Sequence, residues 1–139
     1  MNELDKFKLI TILTVLQFTL DIKKKFKTCK NLNPYLLFIL IIHHIISVFL
    51  HFGWIFDNKI MLKLYIATVI SVIGHQNMNN GKCFLTQIEN KICEFKTYHS
   101  FTDFYYWLGL KDKPIYHNIY VMDVFVVVMT LYAFLKING

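Results

Sequence analysis

The chain has 139 residues, of which 55% are hydrophobic and 17% are charged, against about 25% charged residues in an average soluble domain. Its formal net charge of +6 comes from lysine alone, because the sequence contains no arginine, the residue best suited to reading phosphates and base edges. We therefore expect one all-α integral membrane domain over residues 1–139, with membrane lipids as partners and no nucleic-acid partner.

The first apolar segment, residues 7–22, carries a polar face. Thr11, Thr14, Gln17 and Asp21 recur every three or four residues, the spacing of one helix face, among Leu, Ile, Val and Phe. This pattern fits a spanning helix whose polar face turns into a bundle, or a helix that lies in the membrane interface. We favour the spanning helix. No small-residue cleavage site follows it, so we do not expect a cleaved signal peptide.

The next two apolar segments, residues 34–56 and 60–76, are predicted to form a helical hairpin. Residues 34–56 begin with Pro34 and carry no formal charge when histidine is neutral. At about 1.5 Å per residue they extend roughly 34 Å, enough to cross a bilayer core. The third segment contains Lys63 near its start, and its short connection to the second predicts antiparallel packing.

Residues 77–113 are predicted to be an interfacial segment that contains a short amphipathic helix. Thr86 and Glu89 form T-x-x-E, the capping-box pattern in which each side chain bonds the backbone of the other residue. We interpret Glu89 as a helix cap and not as a general base. Ile88 and Ile92 follow at helical spacing, so this segment is expected to be a structured lid against one end of the bundle.

The same segment resembles a bacterial family of small membrane proteins of unknown function. That family carries C-P-L-T-x-x-E followed by an aromatic segment containing Y-x-x-F. The similar positions here are Cys83, Leu85, Thr86, Glu89, Tyr98 and Phe101. Phe84 stands where the family has proline, and Ile92-Cys93 replaces a Leu-Arg pair. Because the family has no established activity, the resemblance implies a four-helix membrane fold and no specific chemistry.

The last apolar segment, residues 116–137, is predicted to be a fourth span, interrupted only by Asp123. Four spans place the two lysine-rich connections, residues 23–30 and 77–114, on the same side of the membrane. The positive-inside rule assigns that side to the cytoplasm. The sequence thus predicts an integral membrane four-helix bundle, with an interfacial helix between its third and fourth spans. The sequence leaves open whether the protein binds a protein partner or forms a homo-oligomer in the membrane.

Four ionisable residues in or near the predicted spans form the candidate ligand site or polar core. Helical rise places His43, His44 and Asp123 about 12 to 15 Å from the starts of their helices, with His75 near the same side. A charge at mid-helix costs about 2.5 to 3.5 kcal/mol, so we expect Asp123 to contact His44 or His43.

Two interpretations of this layer remain open, a functional site or a buried polar cluster that fixes helix register. The functional site would hold a metal, a haem, a quinone or a proton. His43 and His44 project about 100° apart, so they do not share a metal ion. Only His44 with His75 suits a haem, so we expect no cofactor and keep haem as the weaker alternative.

The three cysteines, Cys29, Cys83 and Cys93, are an odd number, which argues against a disulfide framework. Cys83 and Cys93 lack the C-x₂-C spacing of zinc sites. They are expected to be free thiols if the lysine-rich side is cytoplasmic, and to form a disulfide if the orientation is inverted. Cys29, which lies beside lysines, is a candidate for palmitoylation.

The sequence predicts no catalytic residues, since no Ser-His-Asp triad, phosphate-binding glycine loop or pair of carboxylates can be assembled. It favours a small multi-pass integral membrane protein of structural or accessory type. Two alternatives remain. One is a membrane redox or ligand-binding module that uses the His/Asp layer, and the other is a proton or ion pathway.

Overall fold

The fold, taken from a computed structural model, is described for residues 1–96 and 120–139, with side chains described for 1–96 and 124–139. This part of the chain is all-α, as predicted. Its helices are α1 (Glu3–Thr28), α2 (Pro34–Phe52), α3 (Lys59–Met78), α4 (Phe84–Ile92) and α5 (Tyr120–Asn138). A short 3₁₀ turn, Gly53–Ile55, continues α2. Residues 97–119, which include the rest of the predicted interfacial segment, lie outside the described residues.

Asparagine side chains begin three of the long helices. Asn2 accepts a hydrogen bond from the backbone N–H of the residue three positions later, and so does Asn33, which precedes Pro34. Asn58 accepts from the first turn of α3 in the same way. Each cap satisfies a backbone donor that a helix start leaves unpaired. At its other end α1 continues through the lysine run, because Lys25 and Lys27 in its last turn suit the negative end of the helix dipole.

Consecutive helices run back and forth between two ends of the molecule. Cys29, which follows α1, is bonded to Cys93, which follows α4, and we call this the lid end. At the opposite end Asp57, between α2 and α3, contacts Lys6 near the start of α1 and Lys136 near the end of α5. Helix α1 packs on α2, α2 on α4, and α3 on α5.

The core between the helices contains two apolar clusters. The larger joins the α2–α3 connection, α3 and α5 through Phe56, Leu62, Tyr65, Val69, Val126 and Ala133. The smaller lies at the lid end and includes Leu36, Leu40 and Cys93.

Helix α1 buries several of its polar side chains and exposes many of its large apolar ones. Its buried residues are Lys6, Gln17, Asp21 and Lys25. Large apolar side chains are exposed on all four long helices, among them Ile12, Val15, Leu16, Phe38, Ile45, Ile60, Ile70, Leu131, Phe134 and Leu135. The polar face predicted for the first segment therefore turns inward at Gln17 and Asp21, whereas Thr11 is exposed.

All four predicted spans fall on helices, α1, α2, α3 and α5. Among the described residues one helix, Pro34–Ile55 with a mean hydropathy of 2.2, is long and apolar enough to cross a membrane, and Val124–Asn138 is a shorter apolar helix. Length and composition thus support one membrane crossing, and they do not by themselves establish the four predicted spans.

Gly53 allows α2 to end in close contact with α3. A Cβ added there would lie 2.6 Å from Cδ2 of Tyr65 and 3.0 Å from Cε2 of Phe49. The Tyr65 ring is fully buried, and its hydroxyl donates to the Leu50 carbonyl at 3.3 Å, so it has little room to move. We expect Gly53→Ala to lower the free energy of unfolding by about 1 to 3 kcal/mol, as overpacking does.

Gly74→Ala is the matched control for this substitution, because nothing lies within 4 Å of the added Cβ. Alanine is favoured over glycine inside a helix by roughly 0.5 to 1 kcal/mol, so this variant should be slightly more stable than wild type. Thermal unfolding of both variants in detergent measures the difference. Equal stabilities for the two would show that Gly53 is not closely packed.

Candidate functional site

The candidate site is a group of buried ionisable residues where α1, α2 and α4 meet at the lid end. The Lys25 ammonium donates to Oε1 of Glu89 and lies 3.5 Å from Oδ1 of Asp21. The other Asp21 oxygen, Oδ2, lies 3.2 Å from Nε2 of His44. Each of these side chains is at most 5% exposed. We call these four residues the ionic cluster.

Helical spacing brings the cluster together. Asp21 and Lys25 are four residues apart and so share a face of α1, with Gln17 one turn earlier on the same face. Thr86 and Glu89 are three residues apart on α4. Gln17 Nε2, Thr86 Oγ1 and Glu89 Oε2 are buried and have no hydrogen-bond partner among the described residues. Buried polar atoms of this kind are normally satisfied by water or by a ligand.

The cluster carries more acid than base. Among the described residues, the carboxylates of Asp21 and Glu89 both form an ion pair with Lys25. Burial raises the pKa of the Glu89 carboxyl, and the charge of Lys25 beside it opposes that rise in part. A carboxyl group in this position favours its protonated form more than a solvated one does.

His43 and His44 face different partners, as their adjacent positions predict. His43 Nε2 lies 3.6 Å from Sγ of Cys83, a half-buried free thiol that precedes α4. His75 is exposed, and its ring packs edge-to-face on Phe84 with centroids 6.1 Å apart. The structure therefore does not bring His75 into the cluster, and the predicted haem pair of His44 and His75 does not face one site.

The carboxylate that contacts His44 among the described residues is Asp21. The predicted contact with Asp123 lies outside the described residues, because the side chain of Asp123 is not described. Sequence reasoning placed Asp21 on a polar face without assigning it to the site, and it interpreted Lys25 as a topology signal. The signal that places Asp21 and Lys25 in the site is their i, i+4 spacing, with Gln17 on the same helix face.

The predicted helix in the lid is confirmed, but its predicted cap is wrong. Helix α4 begins at Phe84, with Cys83 as its N-cap residue and no side-chain cap. Thr86 therefore lies inside the first turn, and the Glu89 carboxylate reaches Lys25 and not the helix start. Because α4 begins earlier than the T-x-x-E pattern predicts, Thr86 is not at the helix start, and the Glu89 carboxylate pairs with Lys25 on α1.

The cysteine pairing differs from both alternatives. Cys93 is bonded to Cys29, with Cα atoms 4.6 Å apart, and Cys83 is free. A Cys83–Cys93 bridge is wrong because the two residues lie at opposite ends of α4, about 15 Å apart along its axis, and a disulfide needs Cα atoms within about 7 Å. Cys29 is used by the disulfide, so it is not available for palmitoylation.

A second ionic group closes the opposite end of the molecule. The Asp57 carboxylate accepts from both Lys6 and Lys136. Hydrogen bonds from Lys136 and then Lys6 lower the pKa of Asp57 to about 2. Glu3 accepts from Lys6 at 2.8 Å and from the backbone N–H of Asp57 at 2.9 Å. These contacts join α1 and α5 to the α2–α3 connection.

Among residues 1–96 and 124–139 there is no group of three or more His, Cys, Asp or Glu side chains that could hold a metal ion. Comparisons with models of protein families, with curated proteins and with solved structures found no match. The resemblance at Cys83, Leu85, Thr86 and Glu89 therefore stays a prediction.

Proposed function

We propose that the protein is a small multi-pass integral membrane protein of structural or accessory type. In this proposal α1, α2, α3 and α5 are four spans, and α4 is an interfacial lid. The observation that carries the proposal is the inverted distribution of side chains in α1. Its buried positions are Lys6, Gln17, Asp21 and Lys25. Lipid favours this distribution, because ionisable groups in a membrane face the interior of a bundle.

The outer surfaces of the other long helices support the same proposal. Apolar side chains more than half exposed occur on each of them, for example Phe38 on α2, Ile70 on α3 and Leu135 on α5. Monomeric soluble proteins rarely expose large contiguous apolar patches. Membrane lipids are therefore the proposed partners of these surfaces, and the same surfaces could pack against a second copy or another membrane protein.

Helix lengths and the positions of the charges also suit a membrane. Helices α1, α3 and α5 have 26, 20 and 19 residues, about 39, 30 and 28 Å at 1.5 Å per residue, and the hydrocarbon core is about 30 Å thick. The two ionic groups lie at opposite ends of this length. Membrane-spanning helices have charged residues near both ends and an apolar surface between them.

The structural or accessory role follows from how the polar groups are used. Asp21, Lys25, His44 and Glu89 contact one another across three helices, so they join helices as interior polar groups do in membrane bundles. We propose no cofactor. An absorption spectrum and metal analysis of the purified protein test this point, and a haem band or stoichiometric metal would favour the ligand-binding alternative.

Cysteine labelling tests the four-span arrangement. Single cysteines replace the exposed residues Lys27, Lys59, Asn77 and Gly139 in a Cys83→Ser background, which leaves the native disulfide intact. A membrane-impermeant maleimide should label Lys59→Cys and Gly139→Cys from one side of the membrane, and Lys27→Cys and Asn77→Cys from the other. The protein should also stay in the membrane pellet after alkaline carbonate extraction.

The same experiment has a clear negative result. Labelling of Lys27→Cys and Lys59→Cys from the same side would show that α2, which lies between them, does not cross the membrane as proposed. Recovery of the untreated protein in the soluble fraction would rule out an integral membrane protein altogether.

A further inference from the structure

We propose that the ionic cluster of Asp21, Lys25, His44 and Glu89 is a proton-binding site, which takes up one proton from the solution at the lid end and releases it there. This inference goes beyond a structural role. It rests on the burial and contacts of the four side chains, and it stands independently of the number of membrane spans.

The first argument is charge balance. The two carboxylates, Asp21 and Glu89, share the single ammonium of Lys25, so the cluster has a net charge of −1 when His44 is neutral. A net charge is strongly unfavourable where every side chain is at most 5% exposed. One further proton, on His44 or on a carboxyl group, makes the cluster neutral.

The second argument is that the four groups are in contact. His44 Nε2 lies 3.2 Å from Asp21, and Lys25 joins Asp21 to Glu89. Groups coupled this closely titrate together, so the added proton belongs to the cluster and not to one residue. Burial raises the pKa of Glu89, which is the direction that favours retention of a proton.

The third argument concerns access. Gln17 and Thr86 are 6% and 1% exposed, and Gln17 Nε2 and Thr86 Oγ1 have no partner among the described residues. They flank the cluster, Gln17 one turn before Asp21 on α1 and Thr86 one turn before Glu89 on α4. Polar atoms in such positions are suited to bind water, which would carry a proton to the carboxylates.

Among the described residues, the neighbouring titratable groups oppose the rise in the pKa of Glu89 but do not reverse it. Lys24 on α1 is half-buried, and its charge lowers the pKa of Glu89 less than Lys25 does. On α2 and before α4, His43 and Cys83 contact each other. On release, the proton of the ionic cluster passes to water at the lid end. The net charge of the cluster then changes from zero to −1, and no other bond changes.

A difference titration tests the proposal on the whole chain in detergent. Proton binding is measured by potentiometry for wild type and for Glu89→Gln, which makes the cluster neutral without an added proton. Glu94→Gln is the matched control, because Glu94 is 58% exposed and follows the same helix. Wild type minus Glu89→Gln should show one proton that titrates above the ordinary carboxyl value of 4.5, because burial raises the pKa of Glu89. Wild type minus Glu94→Gln should show one proton near the ordinary value.

The proposal is overturned if the proton lost in Glu89→Gln titrates at or below the ordinary value, as a solvated carboxyl does. If Glu89→Gln does not fold, the folded and denatured states of wild type are compared instead. At pH values above the ordinary carboxyl range, folded wild type should bind about one more proton than the denatured protein. A midpoint that shifts by one pH unit for each tenfold change in sodium would assign the site to a metal cation and overturn the proton proposal.

Discussion

Replacing Lys25 with methionine should lower the free energy of unfolding by about 3 to 5 kcal/mol, the usual loss when one partner of a buried ion pair is removed. The Lys25 ammonium lies between the carboxylates of Asp21 and Glu89, and all three side chains are at most 5% exposed. Methionine keeps the length of the side chain but leaves both carboxylates without their shared cation. Unfolding in a mixed-detergent titration measures the change.

Lys27→Met is the control for this prediction, because Lys27 lies on the same helix and is exposed. It should change stability by less than about 0.5 kcal/mol. Adding Glu89→Gln to Lys25→Met should restore part of the loss, since residues in direct contact are coupled by about 0.5 to 3 kcal/mol. Equal losses for Lys25→Met and Lys27→Met would contradict the buried ion pair.

Removing the disulfide should be the other large effect. Cys93→Ser opens a loop of 64 residues, and disulfides of native domains typically stabilise the fold by about 2 to 4 kcal/mol. Because α4 is held to α1 by this bond and by the ion pair of Lys25 with Glu89, we expect the lid to separate first. Unfolding with and without reductant measures the loss.

Cys83→Ser is the matched control for the disulfide, since Cys83 is a free thiol, and it should respond to reductant as wild type does. Peptide mapping of protein alkylated in native membranes should recover Cys29 linked to Cys93. A bridge that includes Cys83, or three alkylated cysteines, would show that the pairing is wrong.

The disulfide also bears on orientation. Disulfides persist in oxidising compartments, whereas the positive-inside rule assigns the lysine-rich lid end to the cytoplasm. These two rules point to opposite sides of a membrane. Maleimide labelling of Lys27→Cys decides between them, and an oxidised Cys29–Cys93 pair in native membranes is expected only if the lid end faces away from the cytoplasm.

The helices could be predicted because their signals are local. Asn33 followed by Pro34 marks the start of α2, and the apolar run after it gives its length. The polar spacing on α1 predicts which of its faces is buried. The lid helix was also predicted, since its apolar residues recur at helical spacing.

The partners within the site could not be predicted, because they come from distant parts of the chain. Lys25 and Glu89 are 64 residues apart, and Asp21 and His44 are 23 apart. A sequence pattern assigns a residue to a face of its own helix, but it does not say which helix packs on that face. Depth along the helices predicts a contact of His44 with Asp123, which lies outside the described side chains. It does not indicate Asp21, whose carboxylate lies 3.2 Å from His44. The T-x-x-E pattern predicts a local helix cap, whereas the Glu89 carboxylate pairs with Lys25 on another helix.

The separation between Lys25 and Glu89 also matters during synthesis. Both the ion pair and the disulfide join residues 64 positions apart, which a ribosome working at about 5 to 20 residues per second needs roughly 3 to 13 s to cover. Until α4 has emerged, Lys25 has only Asp21 as a partner within the ionic cluster, and Cys29 is an unpaired thiol. The first helix of the nascent chain therefore reaches its final contacts only after the fourth has emerged, so a pause in translation between them would lengthen the time for which Cys29 is open to other oxidants.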